Sequence, residues 1–305
     1  MLAALGTAAF AVLTLLRFIE IESALLLAGV ALAPWLMATG LLVVAALTGW
    51  KHSVAALAAI LLFVVAVLPG TVSPRIGCDV TAGGADDDVV VFSHNVFFGA
   101  PGIDAIAEQI STVDPDIVLL QEADELIAAE LLLRFDGLDH SVTEGRQVIL
   151  SRWQIRAVEQ VLPFGNGTHA LLRTEVETPI GAMDIVNVHG TPPIVYGGRQ
   201  SQFAQFDFLA AADFPKPALA MGDFNAAPSD TRFRAIVGSS DFIDARREAG
   251  CGFGVSWSAT PGVGPAHLAI DHALAAGVEV ESFEVLDYVG SDHKAIAVRL
   301  SRSSG

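Results

Sequence analysis

Six short polar clusters, each closing an apolar run, constrain this chain more than any other feature. They are Ser93-His94-Asn95, Gln121-Glu122, Asn187-Val188-His189, Gly222-Asp223-Phe224-Asn225, Ile270-Asp271-His272 and Ser291-Asp292-His293. The apolar runs read as buried strands. Amides, carboxylates and imidazoles at strand ends are the groups a hydrolase uses to hold a divalent cation and a phosphate.

The spacing between clusters predicts mixed α/β architecture. Residues 89–92, 116–120, 147–150, 155–161, 169–176, 182–188, 218–221, 272–275, 278–285 and 295–300 read as strands. Residues 103–112, 124–135, 199–213 and 229–237 carry helical spacing, the last with Ser229 as its cap. Several strands follow one another as hairpin-like pairs. That pattern predicts a layered α/β sandwich rather than an alternating βαβ barrel.

Each cluster has a bland reading beside the chemical one. Asp223 and Asn225 leave a strand end on the same side, with Phe224 opposite. They either orient a water and a phosphoryl oxygen or form an Asx-turn capping the next helix. Glu122 ends a buried strand, where a carboxylate is costly unless paired or bound to metal. Asn95 is positioned to support that metal or the phosphate. In 291–293 an acid, Asp292, sits beside His293, and Asp271 offers a second carboxylate on a nearby strand. A histidine base needs such a partner on its other nitrogen. His189 is a second imidazole for proton donation or phosphate binding. His52, His140, His169 and His267 read as structural or surface groups.

Taken together, these residues resemble the endonuclease/exonuclease/phosphatase (DNase I-like) superfamily, which includes DNase I, AP endonucleases, neutral sphingomyelinases and inositol polyphosphate 5-phosphatases. The resemblance spans 88–301. Its motifs run in family order: Asn95, Gln121-Glu122, Leu150-Ser151-Arg152, His189, 222–228, Ile270-Asp271 and Ser291-Asp292-His293. It implies a four-layer α/β sandwich and a metal-dependent phosphoric ester hydrolase. Mg²⁺, with Mn²⁺ as the alternative, would be bound by Glu122 with Asn95, and Asp292 would support the metal shell or His293. His293, oriented by Asp271, would activate water, and Asp223 would position it. Asn225 and His189 would hold the phosphate. Three positions depart from the pattern. Phe97 stands where AP endonucleases usually carry Asp, His189 where they use Tyr, and Ala269 where the family often has Arg.

Mean hydropathy is +0.54, and the excess sits at the front. No Asp, Glu, Lys or Arg occurs between Glu22 and Lys51, or between Lys51 and Arg75. A membrane-spanning helix needs about 20 apolar residues. Three transmembrane helices are expected, at about 2–18, 23–47 and 53–68. They make up a 1–70 membrane region, followed by a 71–87 linker and the 88–301 domain. Lys51 in the second loop places the domain outside the cytoplasm on the positive-inside rule, against a weaker opposing vote from Arg75. The chain is thus expected in the cell membrane as a multi-pass protein. Outside the cytoplasm, Cys78 and Cys251 are candidates for a disulfide between linker and domain; the alternative is two unrelated thiols.

The substrate reading follows from charge. Residues 87–305 hold 14 basic against 30 acidic residues, a net of −16. Such a domain repels polyanions, which disfavours nucleic acid. A small or lipid-linked phosphoester is the expected substrate. An extracytoplasmic nuclease and a non-catalytic membrane scaffold are the alternatives.

Overall fold

The computed structural model describes residues 79–81, 84–85, 87–251, 254–259 and 268–303. The three expected membrane spans and Cys78 lie outside them. Among the described residues no helix is long and apolar enough to cross a membrane. Cys251 is buried and is not a free thiol.

Two six-stranded sheets form the centre. The first contains β1 (Val89–Asn95), β2 (Ile117–Gln121), β3 (His140–Glu144), β4 (Gln147–Ser151), β11 (Val278–Val285) and β12 (Ile296–Arg302), in the order β11-β12-β1-β2-β4-β3. The second contains β5 (Ile155–Phe164), β6 (His169–Thr178), β7 (Gly181–His189), β8 (Ala218–Asp223), β9 (Ile243–Asp244) and β10 (Asp271–Ala276), in the order β5-β6-β7-β8-β10-β9.

Strand alternation decides the layering. Val89, Val91, Ile117 and Leu119 point inward and meet Met183, Ile185, Leu219 and Met221 of the opposite sheet. Val90, Phe92, Val118 and Leu120 point outward. They pack under α1 (Ile103–Val113) and α2 (Glu125–Leu132). On the far side, Val186, Val188 and Ala220 pack under α3 (Gly198–Ala211) and α4 (Thr231–Ser239). A short α5 (Ala245–Ala249) adjoins β9. The result is the expected four-layer sandwich. Burial on both faces explains why the central strands read as continuous apolar runs.

Several local expectations need correction. Helix α4 starts at Thr231, and its cap is Asp230, not Ser229. Asp230 accepts from the backbone N–H groups of Arg232 and Phe233, the bonds that satisfy the first turn of a helix. Helix α2 stops at Leu132 rather than 135. β3, β9 and α5 were not legible, because they are short and lack apolar periodicity. Within the stretch expected as a linker, one described residue packs on the domain. Val80 is buried; its N–H donates to Glu284 Oε2 at 3.1 Å, and its carbonyl accepts from Arg299 Nε at 2.9 Å.

Candidate active site

The topology brings the polar clusters together. β1 runs parallel to β2, and β7 parallel to β8. β12 is antiparallel to β1, and β10 to β8. The last residues of β1, β2, β7 and β8 therefore share one end of the sandwich with the first residues of β10 and β12. In the second sheet, His189 and Asp271 are both registered opposite Asp223. In the first, Asn95 lies opposite Gln121, with Glu122 next in the chain.

Leu150-Ser151-Arg152 is the exception. Ser151 pairs with Ile117, at the opposite end of β2 from Gln121. Arg152 pairs there with Asp114 and Asp116. This motif closes the far end of the sheet and takes no part in the site.

His293 and Asp271 form a dyad. His293 Nδ1 lies 2.9 and 3.1 Å from the two Asp271 oxygens. Asp271 also accepts from Ser256 Oγ at 2.6 Å, and Ser291 Oγ accepts from the His293 N–H at 3.0 Å. The other ring nitrogen, Nε2, faces Asp223 Oδ2 at 3.7 Å. Burial alone would lower the His293 pKa. The carboxylates of Asp271 and Asp223 outweigh it and push it up to about 10.

Asp223 is the shared hub. Its Oδ2 accepts from Asn95 Nδ2 at 3.1 Å and Asn225 Nδ2 at 3.0 Å, and its Oδ1 from the Asn225 backbone N–H at 2.8 Å. The last bond closes a turn with Asn225 at φ 50°. Asx-turn and site geometry thus coexist here, while the next helix is capped by Asp230. Burial pushes Asp223 up to about 7, with Asp271 adding to the shift and His293 opposing it.

Glu122 sits across the cleft at φ 56°, an uncommon conformation for a non-glycine residue. Its Oε1 accepts from Asn95 Nδ2 at 3.3 Å. Its Oε2 is buried without a hydrogen-bond partner. Burial raises its pKa, and the nearby Asp292 adds to that rise. His189 Nε2 lies 3.7 Å from Glu122 and 3.9 Å from Asp223. Burial, reinforced by His169, holds His189 well below the usual imidazole range. It is neutral at pH 7.

These residues fit a hard divalent cation. An orphaned buried carboxylate oxygen beside a second carboxylate is a ready donor set for such an ion. Atoms of Asp223, Asp271 and His293 also lie within 4.8 Å of one another. Asp271, however, is already engaged by Ser256 and His293, so Glu122 and Asp223 are the better ligands. Asn95 turns its amide nitrogen to both carboxylates, while its oxygen accepts from the Phe97 N–H. In this geometry it positions the acids. Asp292 is held by Trp257 Nε1 at 3.2 Å.

Sequence reasoning missed four contributors. Ser256 and Trp257 lie between named elements, in a stretch with no apolar periodicity to mark them. His169 lies with its ring 4.4 Å from that of His189, an adjacency created by the β6–β7 pairing. Arg146, in the β3–β4 turn, lies over Phe98 at 5.2 Å and lowers the Glu122 pKa through its charge.

Comparison with curated proteins gives no match. Among solved structures, the fold is similar to an endonuclease/exonuclease/phosphatase from Beutenbergia cavernae DSM 12333, at 20% identity and a TM-score of 0.56, covering 71% of this chain and 72% of that one. It is also similar to D. rerio TDP2 complexed with single strand DNA product, at 16% identity and 0.55, covering 71% and 100%. A Bacteroides thetaiotaomicron protein of the endonuclease/exonuclease/phosphatase family matches at 15% identity and 0.55, covering 70% and 94%. At these identities the likeness concerns the fold. The sequence pattern of the Endonuclease/Exonuclease/phosphatase family itself matches residues 92–293. With that match over most of the described domain, the chain belongs to this family of metal-dependent phosphoric ester hydrolases.

Proposed function

We propose that this protein is a membrane-anchored, Mg²⁺-dependent phosphoesterase whose domain faces out of the cytoplasm and hydrolyses a lipid headgroup or another small phosphoester. The observation carrying this reading is the His293–Asp271 dyad facing Asp223, with Asn225, His189 and Glu122 in the same cleft. The charge-free N-terminal stretches support the anchor, and the acidic domain supports a compact substrate over a long polyanion.

The chain's own groups divide the work. His293 is charged in the metal-free protein; once it has lost its Nε2 proton it is held by Asp271 through Nδ1 and accepts the proton of the attacking water at Nε2. Asp223 orients that water. The water oxygen bonds to phosphorus while the ester P–O bond breaks, and the leaving oxygen departs with the bonding pair and takes a proton from solvent to become the product alcohol. The Asn225 amide and neutral His189 donate to the phosphoryl oxygens as charge develops on them. A divalent cation held by Glu122 and Asp223, supported by Asn95 and Asp292, would neutralise phosphoryl charge and lower the pKa values of neighbouring groups.

A nuclease is the second reading, favoured by the fold's similarity to a TDP2 that holds a DNA product. The test is hydrolysis by the full chain in detergent with Mg²⁺, Mn²⁺ or EDTA. The substrates are bis-p-nitrophenyl phosphate, sphingomyelin, phosphatidylinositol phosphates, nucleotides and plasmid DNA. Metal-dependent activity lost in His293→Ala supports the site, and the preferred compound chooses the substrate class. A folded protein inactive on every substrate would favour the scaffold reading.

A further inference from the structure

Six of the nine exposed large hydrophobic residues among the described residues lie on segments that leave the site end of the strands. Phe97 and Phe98 follow Asn95, and Leu126 follows Glu122 at the start of α2. Ile194, Val195 and Tyr196 follow His189. The first group leaves the first sheet and the second leaves the second sheet, so they flank the cleft. Each loop is tied to a site residue. The Phe97 N–H donates to Asn95 Oδ1 at 3.1 Å, and the Gly190 carbonyl accepts from Asn225 Nδ2 at 3.0 Å. Phe98 is 58% exposed and Tyr196 fully so. Phe97 and Phe98 also hold consecutive left-handed conformations, φ 44° and 54°. Such strain in non-glycine residues persists where surrounding structure enforces it.

We infer that these two apolar lips dock on the lipid bilayer, so that the site draws its phosphoester from the membrane surface. The inference rests on the membrane-anchored phosphoesterase reading. Exposed apolar groups beside a polar cleft mark an interaction surface. Phenylalanine, tyrosine and aliphatic side chains suit the bilayer interface. Charge argues for the same occupant. A domain of net −16 repels a long polyanion, and electrostatics would not draw it to anionic lipid, which leaves apolar insertion as the attractive term. Reach agrees. Ten residues, 69–78, separate the last apolar run from Asp79, and ten extended residues span at most about 36 Å. The ten-residue strand β6 is itself about 33 Å long. The tether keeps the domain within about its own length of the bilayer.

The test uses the full chain in phosphatidylcholine nanodiscs. An NBD dye is attached at Phe98→Cys, at Tyr196→Cys, and at Asp213→Cys as a control at the opposite pole, with the unsubstituted chain as the labelling blank. The expected result is a blue shift and quenching by doxyl-labelled lipid at 98 and 196 but not at 213. Equal, unquenched emission at all three sites would overturn the inference. A second measurement compares the Ile194→Asp/Tyr196→Asp variant with the parent. Hydrolysis of bilayer-embedded phosphoester falls about tenfold or more, while hydrolysis of soluble bis-p-nitrophenyl phosphate is unchanged. Equal loss on both substrates, or loss on single-stranded DNA alone, would count against bilayer docking. Absence of bis-p-nitrophenyl phosphate hydrolysis in the parent would instead sink the phosphoesterase reading and leave the quenching result standing on its own.

Discussion

Gln121 of the first sheet donates to Asn187 of the second through a 2.7 Å hydrogen bond, with both side chains fully buried. Asn187 Nδ2 in turn donates to the carbonyls of Leu120 and Val148 at 3.0 and 3.1 Å. Gln147 Nε2 donates to the Asn187 carbonyl at 2.8 Å. This polar network joins the two sheets next to the site in an otherwise apolar interlayer. Asn187→Leu strands several of these partners and is expected to lower stability by about 2–4 kcal/mol. Urea denaturation checks this, with the midpoint falling at constant m-value.

Asp271→Asn removes the charge that holds His293 in its tautomer. By analogy with other acid–histidine pairs, kcat should fall about 10³–10⁴-fold with little change in KM. Steady-state kinetics on bis-p-nitrophenyl phosphate test this. A loss confined to KM would place Asp271 outside the chemistry.

Glu122 is held in a strained conformation with one oxygen unsatisfied. Glu122→Gln removes a buried charge and should stabilise the metal-free protein by about 1 kcal/mol. The same change should lower metal-dependent activity about 10²-fold or more. Thermal unfolding in EDTA and a rate assay with Mg²⁺ read the two effects separately. A drop in both Tm and activity would mark Glu122 as a structural residue.

Metal binding should release protons near pH 7. Without metal, Asp223 titrates at about 7 and His293 at about 10, so protons occupy the cleft at neutral pH. A dication favours the deprotonated forms. Affinity should therefore weaken as pH falls through 7, because protonated Asp223 competes with the metal. Calorimetry in buffers of different ionisation enthalpy measures the released protons. Affinity unchanged between about pH 6 and 8 would contradict the assignment.

Arg146 lies at the mouth of the cleft over Phe98, and its charge acts on Glu122. It is positioned to attract an anionic substrate. Arg146→Ala should raise KM about tenfold for a phosphoester and leave kcat largely intact, the effect of one charge-assisted hydrogen bond. Partial recovery in Arg146→Lys would support a role through charge.

Much of the fold was legible because its central strands are buried on both faces. Runs such as Val89-Val90-Val91-Phe92 leave little choice but an interior strand, and the polar residue that follows marks where the strand meets the cleft. The edge elements escaped notice for the opposite reason. β3 is half exposed and β9 has two residues, so neither needs an apolar pattern. Asp230 was passed over as a cap because Ser229 stands beside it, and only the backbone path distinguishes the two.

The linear order of residues determined the α/β class, the acidic character of the domain, the apolar N-terminus and the residue types offered to a cation and a phosphate. Those properties are local, since each depends on side-chain chemistry and short-range periodicity. Tertiary structure alone decided which groups meet. Strand direction sends Arg152 to the far end of the sheet while bringing Asp271 opposite Asp223, 48 positions apart in sequence. Burial then sets their chemistry. Without metal, the same imidazole is charged at His293, between two carboxylates, and neutral at His189, against another histidine. Desolvation and charge proximity act through space, so no spacing along the chain encodes them.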